Sequence, residues 1–140
     1  MSRIFWDTNL FIYLFEDYGN LSKAVSQLRS KMLARGDQLL TSTLTLGEIL
    51  VKPSERGETE LCAKYESAIS SAAIMISFDL KAARTYAELR TERSLKAPDA
   101  IQLACAANAA VDVFVTNDER LQGKHVQGIQ FIVPLDRVPV

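Results

Sequence analysis

The chain has little of the residues on which several common sites are built. Its two cysteines, Cys62 and Cys105, lie in helix-like stretches and are too few for a disulfide framework, so buried free thiols and a cytoplasmic setting are expected. The single histidine, His125, sits in a Gly/Lys/Gln-rich loop, and a zinc centre needs a cluster of Cys and His ligands. Six scattered glycines provide neither a Gly-Lys-Ser/Thr phosphate loop nor a dinucleotide-binding fingerprint. No apolar run is long enough to cross a membrane. Arg3 ahead of Ile4 and Phe5 faintly suggests a signal peptide, but Asp7, Asn9 and Glu16 interrupt the apolar region. Charge of one sign is also lacking: 16 Lys and Arg face 17 Asp and Glu, for a net charge of −1. That balance argues mildly against a nucleic-acid binder without excluding one, because a local basic rim can coexist with an acidic pocket.

What is present is an ordinary globular composition, 48% hydrophobic and 24% charged over 140 residues, enough for one domain (1–140) with one real core. Strand-like runs are expected at Arg3–Trp6, Gln38–Ser42, Ala73–Ser77, Val111–Val115 and Ile129–Val133. Helical spacing is expected over Thr8–Phe15, Leu21–Arg35 (closed by Gly36), Leu44–Lys52, Thr59–Ser71, Asp79–Glu92 and Ala97–Ala109. Pro53–Gly57 is read as a break, Asn117–Leu121 as a single helical turn, and the tail as irregular. Strands alternate with helices, which predicts an α/β fold: a three-layer α/β/α sandwich around a parallel sheet of about five strands.

The acidic residues carry the functional information. Glu55, Glu58, Glu60, Glu66, Glu88 and Glu92 have polar neighbours and belong to solvated faces. Asp7 ends an apolar run, Glu48 lies inside an otherwise apolar helix, Asp99 opens the most apolar helix, and Asp118 closes the fourth strand. Carboxylates are rarely buried without partners. Taken singly, Asp7 and Asp118 are equally well explained as helix caps, Asp99 as a complement to a helix dipole, and Glu48 as the partner of an arginine such as Arg93. Taken together they suggest one pocket. Asp7, Asp118 and the Glu48 helix are expected at one sheet edge, where parallel sheets bind ligands. Asp99, on the helix that feeds strand four, is expected to start at the opposite end from Asp118 unless that helix is long or tilted. An all-oxygen set suits Mg²⁺, with Mn²⁺ as the alternative ion, and such a site favours metal-assisted attack on a phosphodiester.

These residues resemble the PIN-domain ribonucleases, and in particular VapC-like toxins of toxin–antitoxin pairs. The resemblance is carried by Asp7-Thr8-Asn9, by Leu44-Thr45-Leu46-Gly47-Glu48-Ile49-Leu50 with Lys52-Pro53, by Lys96-Ala97-Pro98-Asp99-Ala100, and by Thr116-Asn117-Asp118, in family order along the whole chain. Leu121 stands where the family often has an aromatic, a packing change. The resemblance implies that Asp7, Glu48, Asp99 and Asp118 form the metal pocket, with Asp7 and Asp99 as core ligands. It implies Mg²⁺- or Mn²⁺-dependent endoribonuclease activity, a homodimer, and an antitoxin that blocks the site. Thr8, Asn9, Thr116 and Asn117 are candidates for fixing the carboxylates, and Lys52, Arg56, Arg90, Arg93 and Lys96 for contacting the RNA backbone. The apolar residues of Leu21–Met32, with Phe11, Tyr13, Leu14 and Phe15, exceed what one packing face needs, so part of that surface is expected to take an antitoxin segment or a second subunit. The competing readings are a non-catalytic RNA-binding or regulatory protein of the same fold and a housekeeping RNA-processing nuclease. A haloacid-dehalogenase-like phosphatase would need a second Asp where Asn9 stands.

Overall fold

Five apolar runs with apolar residues on both faces form the strands β1 (Arg3–Trp6), β2 (Gln38–Ser42), β3 (Ile74–Ile76), β4 (Val111–Val115) and β5 (Ile129–Val133). The inner strands β1, β2 and β4 are buried on both sides and lack the in/out polar alternation of one-sided sheets, as expected of a parallel sheet covered on each face, while the edge strands β3 and β5 are partly exposed. All pairings are parallel, in the order β3-β2-β1-β4-β5. Residues 1–139 are described by this computed structural model.

The period-2 geometry of the strands divides their side chains between two cores. Phe5, Leu40, Phe114 and Ile132 point to one face, where they meet α5 (Leu80–Leu89) and α6 (Ala97–Asn108). Ile4, Trp6, Leu39, Val113 and Val115 point to the other. There they pack against α1 (Thr8–Phe15), α2 (Asn20–Arg35), α3 (Thr43–Glu55) and α4 (Thr59–Ala72). The three-layer sandwich read from the alternation of elements is the observed architecture.

Local chemistry sets the element ends. Asp7, Ser42 and Asp79 cap α1, α3 and α5 by accepting backbone N–H groups. Gly36 closes α2 in the left-handed conformation (φ 73°) that glycine adopts without a Cβ penalty.

Four details differ from the sequence reading. α3 does not stop before Pro53 but runs through it to Glu55. The proline falls in the last turn, where its missing N–H forfeits a single bond, and its carbonyl accepts the Glu58 N–H at 2.9 Å. α5 ends at Leu89, and isolated turns continue to Glu92. Asn117–Leu121 forms turns rather than a helical turn, because side chains take the backbone N–H groups. Thr116 Oγ1 accepts Asp118 N at 3.0 Å and Asp118 Oδ1 accepts Arg120 N at 3.0 Å. The tail, expected to be irregular, holds a 3₁₀ turn at Leu135–Arg137.

The topology positions the site. The chain enters at β1 in the centre, works outward to β3, then crosses back to lay β4 on the other flank of β1. The carboxyl ends of β1 and β4 are therefore the switch point of the sheet, where a crevice opens in folds of this kind.

Candidate active site

Asp7 follows β1 directly, and its N–H extends the β1–β4 ladder by donating to the Val115 carbonyl at 3.0 Å. Its carboxylate accepts Thr8 N (2.9 Å) on one oxygen and the Thr116 hydroxyl (2.8 Å) on the other. At 9% exposure it is buried. Capping α1 and facing the crevice are thus compatible duties of one side chain.

Glu48 is not buried. The buried positions of α3 are Thr45, Ile49 and Pro53, and Glu48 projects to the exposed mouth of the crevice. Its Oε1 accepts the Thr8 hydroxyl at 2.6 Å. Among the described residues no cation pairs with it, Arg93 included.

Asp99 lies in the first turn of α6, at the same edge as Asp118, against the expectation from topology. A helix that returns the chain to the start of a parallel strand runs antiparallel to it. α6 ends at Asn108, immediately before β4, so its first turn arrives at the carboxyl edge. Gln102, one turn after Asp99, makes the placement concrete through its hydrogen bond with Ser42 at the carboxyl end of β2.

Asp7, Glu48, Asp99 and Asp118 line a single cavity of about 250 Å³, together with Thr8, Asn9, Ile12, Pro98 and Gln102. A larger concavity of about 660 Å³ over Gly57–Lys64 contains none of the four. A more apolar cavity of about 360 Å³ adjoins the site, sharing Ile12 and Glu48 and adding Lys52, Arg56, Phe15 and Tyr65. Among the described residues, no three Asp, Glu, His or Cys side chains are drawn tightly enough together to form a ready coordination shell.

The electrostatics divide the carboxylates. Burial pushes the Asp7 carboxyl above its ordinary value, and Asp99 and Glu48 push it further, against the hydrogen bonds from Thr116 and Thr8. Burial and then the Asp118 charge raise Asp99, against Arg120 and Lys96. Asp118 goes the other way, lowered first by its hydrogen bond from Arg120.

A buried polar network supports the cavity floor. Gln102 Nε2 donates to Thr45 Oγ1 (2.7 Å) and Thr8 Oγ1 (3.2 Å), and its Oε1 accepts the Ser42 hydroxyl. Thr41 Oγ1 donates to the Trp6 carbonyl at 2.9 Å and stands 2.8 Å from Thr45 Oγ1. Sequence reasoning missed Gln102. Its signal was an amide inside an apolar helix, three residues from Asp99 and therefore on the same face. Arg120, which grips Asp118, was also missed.

The other candidates separate clearly. Thr8 and Thr116 hold carboxylates through their hydroxyls. Asn9 lines the cavity, whereas Asn117 accepts Leu135 N at 3.3 Å and holds the tail rather than a carboxylate. Lys96 acts electrostatically on Asp99 and Asp118, and Lys52 and Arg56 line the adjoining cavity. Arg90 is engaged with Tyr86, bonding its hydroxyl at 2.8 Å and lying 5.7 Å from the ring centre. Arg93 is exposed, and neither it nor Arg90 lines the cavity.

A family model described as PIN domain matches residues 4–125, from β1 through the Thr116-Asn117-Asp118 turn. The chain belongs to the PIN-domain family. PIN domains are nucleases, which gives the activity class as phosphodiester hydrolysis. No curated protein matches the sequence. Solved structures share the fold of this PIN domain. VapBC2 from Rickettsia felis, bound to a DNA fragment from the promoter, is 18% identical with a TM-score of 0.74, covering 94% of this chain and 98% of that one. A toxin–antitoxin complex from Klebsiella pneumoniae is 25% identical with a TM-score of 0.65, covering 90% and 94%. DNA-bound VapBC from Salmonella typhimurium is 19% identical with a TM-score of 0.73, covering 96% and 99%.

Proposed function

We propose that this PIN domain is a divalent-metal-dependent endoribonuclease and the toxin of a toxin–antitoxin pair. The observation that carries the reading is the lining of one cavity at the sheet's switch point by Asp7, Glu48, Asp99 and Asp118, which come from four separate segments. The donor set fits a hard cation. It is all oxygen, it lacks His and Cys, and Asp7 is buried with hydroxyl and N–H partners rather than a cationic one. In this reading Asp7 and Asp99 hold Mg²⁺ or Mn²⁺, and Glu48 and Asp118 complete the site. When bound, the ion lowers the pKa of water and offsets the charge that builds on the phosphate.

The remaining duties fall to the chain's own groups. Thr116 and the Thr8 N–H fix both oxygens of Asp7, so the carboxylate does not rotate away from the crevice. The Thr8 hydroxyl occupies one oxygen of Glu48 and leaves the other to orient a water for in-line attack. Lys96, Lys52 and Arg56 form a local basic rim for the phosphates of a single-stranded RNA, in a chain with no overall basic surplus.

Several solved neighbours are toxin–antitoxin complexes, which supports an antitoxin partner here. Its segment would lie in the apolar cavity beside Glu48, where Phe15 stacks on Tyr65 with ring centres 4.9 Å apart. Leu21, on the first turn of α2, remains exposed, while Val25, Leu28 and Met32 go into the core. The exposed part of that face is assigned to a homodimer contact, which sedimentation analysis would test. No helix among the described residues is long and apolar enough to cross a membrane, and the proposed setting is the cytoplasm.

Cleavage of single-stranded RNA by the purified chain tests the activity. It is expected with Mg²⁺ or Mn²⁺, is expected to stop with EDTA, and is expected to fall roughly 10²–10³-fold in Asp7→Ala. Persistent cleavage in all three conditions would overturn the metal reading. RNA binding without turnover, indifferent to metal, would instead establish the non-catalytic alternative.

A further inference from the structure

Arg120 has no part in the roles assigned above, yet among the described residues it is the only cation within ion-pair reach of the four carboxylates. Its Nε donates to Asp118 Oδ1 at 3.0 Å and its Nη2 to Asp118 Oδ2 at 2.5 Å, the fork geometry of a bidentate pair. The same Nη2 stands 3.6 Å from Asp99 Oδ2. One guanidinium thus spans the carboxylate that follows β4 and the carboxylate that opens α6. The Arg120 N–H adds a further donor to Asp118 Oδ1 at 3.0 Å.

These are the oxygens that a divalent ion would need on this side of the cavity. A carboxylate engaged edge-on by a guanidinium fork presents its in-plane lone pairs to the arginine. A hard cation draws on the same lone pairs, and Arg120 takes three of the roughly four on Asp118, so an ion cannot take both Asp118 oxygens while the fork is in place. The partners of Asp7 and Glu48 impose no such exclusion. They are hydroxyls and one N–H, which leave lone pairs free and add no positive charge. The Arg120 side chain is 56% exposed, and its hydrogen-bond partner is Asp118, so it can swing into solvent without disturbing the core.

We propose that Arg120 is the resident counter-cation of the pocket: it holds the Asp99–Asp118 side in the metal-free protein and is exchanged for the divalent ion on binding. The metal affinity of the site is then the outcome of a competition within the chain.

This inference rests on the metal-site reading, and Mn²⁺ titration of the full chain by calorimetry separates the two. Wild type, Arg120→Gln, Arg120→Lys and Asp7→Asn are compared without RNA. Arg120→Gln is expected to bind Mn²⁺ about three- to fivefold more tightly than wild type, the scale of an exposed charge pair. Arg120→Lys, which keeps the charge and loses the fork, is expected to fall between them. The gap is expected to narrow at high salt, where the exposed pair is screened. Equal or weaker binding by Arg120→Gln, with binding lost in Asp7→Asn, would overturn the proposal and reduce Arg120 to a loop anchor while the metal centre stands. Absence of Mn²⁺ binding in wild type, or undiminished binding in Asp7→Asn, would overturn the metal centre and this inference with it.

Discussion

At the N-terminal edge of the sheet, Asp112 accepts the Arg3 N–H and Asp37 the Ser2 N–H, both at 2.7 Å, and the second Asp37 oxygen faces Arg35 Nε at 3.4 Å. The Arg3 guanidinium reaches Gln38 and the Ala109 carbonyl there, clamping the first strand to its neighbours. At the carboxyl edge, Asp7 is as buried as Asp37 but receives a hydroxyl and its neighbour's N–H, while two further carboxylates raise its proton affinity. Both edges put aspartates where desolvation is costly. One edge gives each aspartate a backbone N–H and sets Arg35 near Asp37, whose Oδ2 has no hydrogen-bond partner. The other supports their positions and leaves negative charge in surplus. Burial alone does not separate a structural carboxylate from a candidate functional one; the charges gathered around it do.

The sharpest way to break that contrast is to remove one acid from each edge. Asp7→Ala is expected to lower RNA cleavage by roughly 10²–10³-fold, the scale of losing one preorganised electrostatic group. Single-turnover kinetics at saturating Mg²⁺ would read the loss. Asp112→Ala is expected to leave cleavage near wild type and to cost about 1–3 kcal/mol in denaturant unfolding, because the Arg3 N–H loses its acceptor. The reverse pattern would dissolve the distinction between the edges.

Gln102 sharpens it. Gln102→Leu fills a similar volume but strips partners from Ser42, Thr45 and Thr8. A stability loss of about 2–3 kcal/mol is expected, with cleavage lowered roughly tenfold as Thr8 ceases to fix Glu48. Full activity in a folded Gln102→Leu protein would show that the network serves folding alone.

The smallest effect concerns the charge itself. The folded chain binds the Asp7 proton more tightly than the unfolded chain does. The stability tied to this group is therefore full below the unfolded carboxyl value and is lost as pH rises through the raised folded value. Above the folded value and without metal, ionised Asp7 is a net cost, and Asp7→Asn is expected to raise Tm there by a few degrees while abolishing cleavage. The advantage of Asp7→Asn is expected to shrink as pH falls through the folded value. A lower Tm for Asp7→Asn across the whole pH range would contradict the assignment.

Much of the fold was legible because its signals are local. The strands are short β-branched and aromatic runs, and the capping residues Asp7, Ser42 and Asp79 sit where helix spacing begins. The four carboxylates stood out because acids are rare on apolar elements. What was not legible depended on direction and on neighbours distant in sequence. Asp99 was expected at the wrong edge because the helix preceding a strand was not given its antiparallel course. Glu48 was singled out by its apolar neighbours along the helix, but which way it faces is set by helical geometry, which turns it outward. Gln102 acts through partners that only the folded chain supplies, reaching Ser42 across 60 positions, and Arg120, though bonded to Asp118 two residues away, meets Asp99 only once α6 is in place. Pro53 was read as a break because its position within the final turn is decided by where α3 ends.

The Thr116 hydroxyl donates to Asp7 Oδ2 and accepts the Asp118 N–H, so one oxygen atom ties the carboxylate after β1 to the turn after β4. The span between those two acids is consequently set by strand register, Trp6 opposite Val115, and not by loop shape. A slip of one residue would turn every side chain of the strand to the other face. Such a slip would destroy both cores and the candidate pocket in a single event, so one register decides the stability of the sheet and the assembly of the site together.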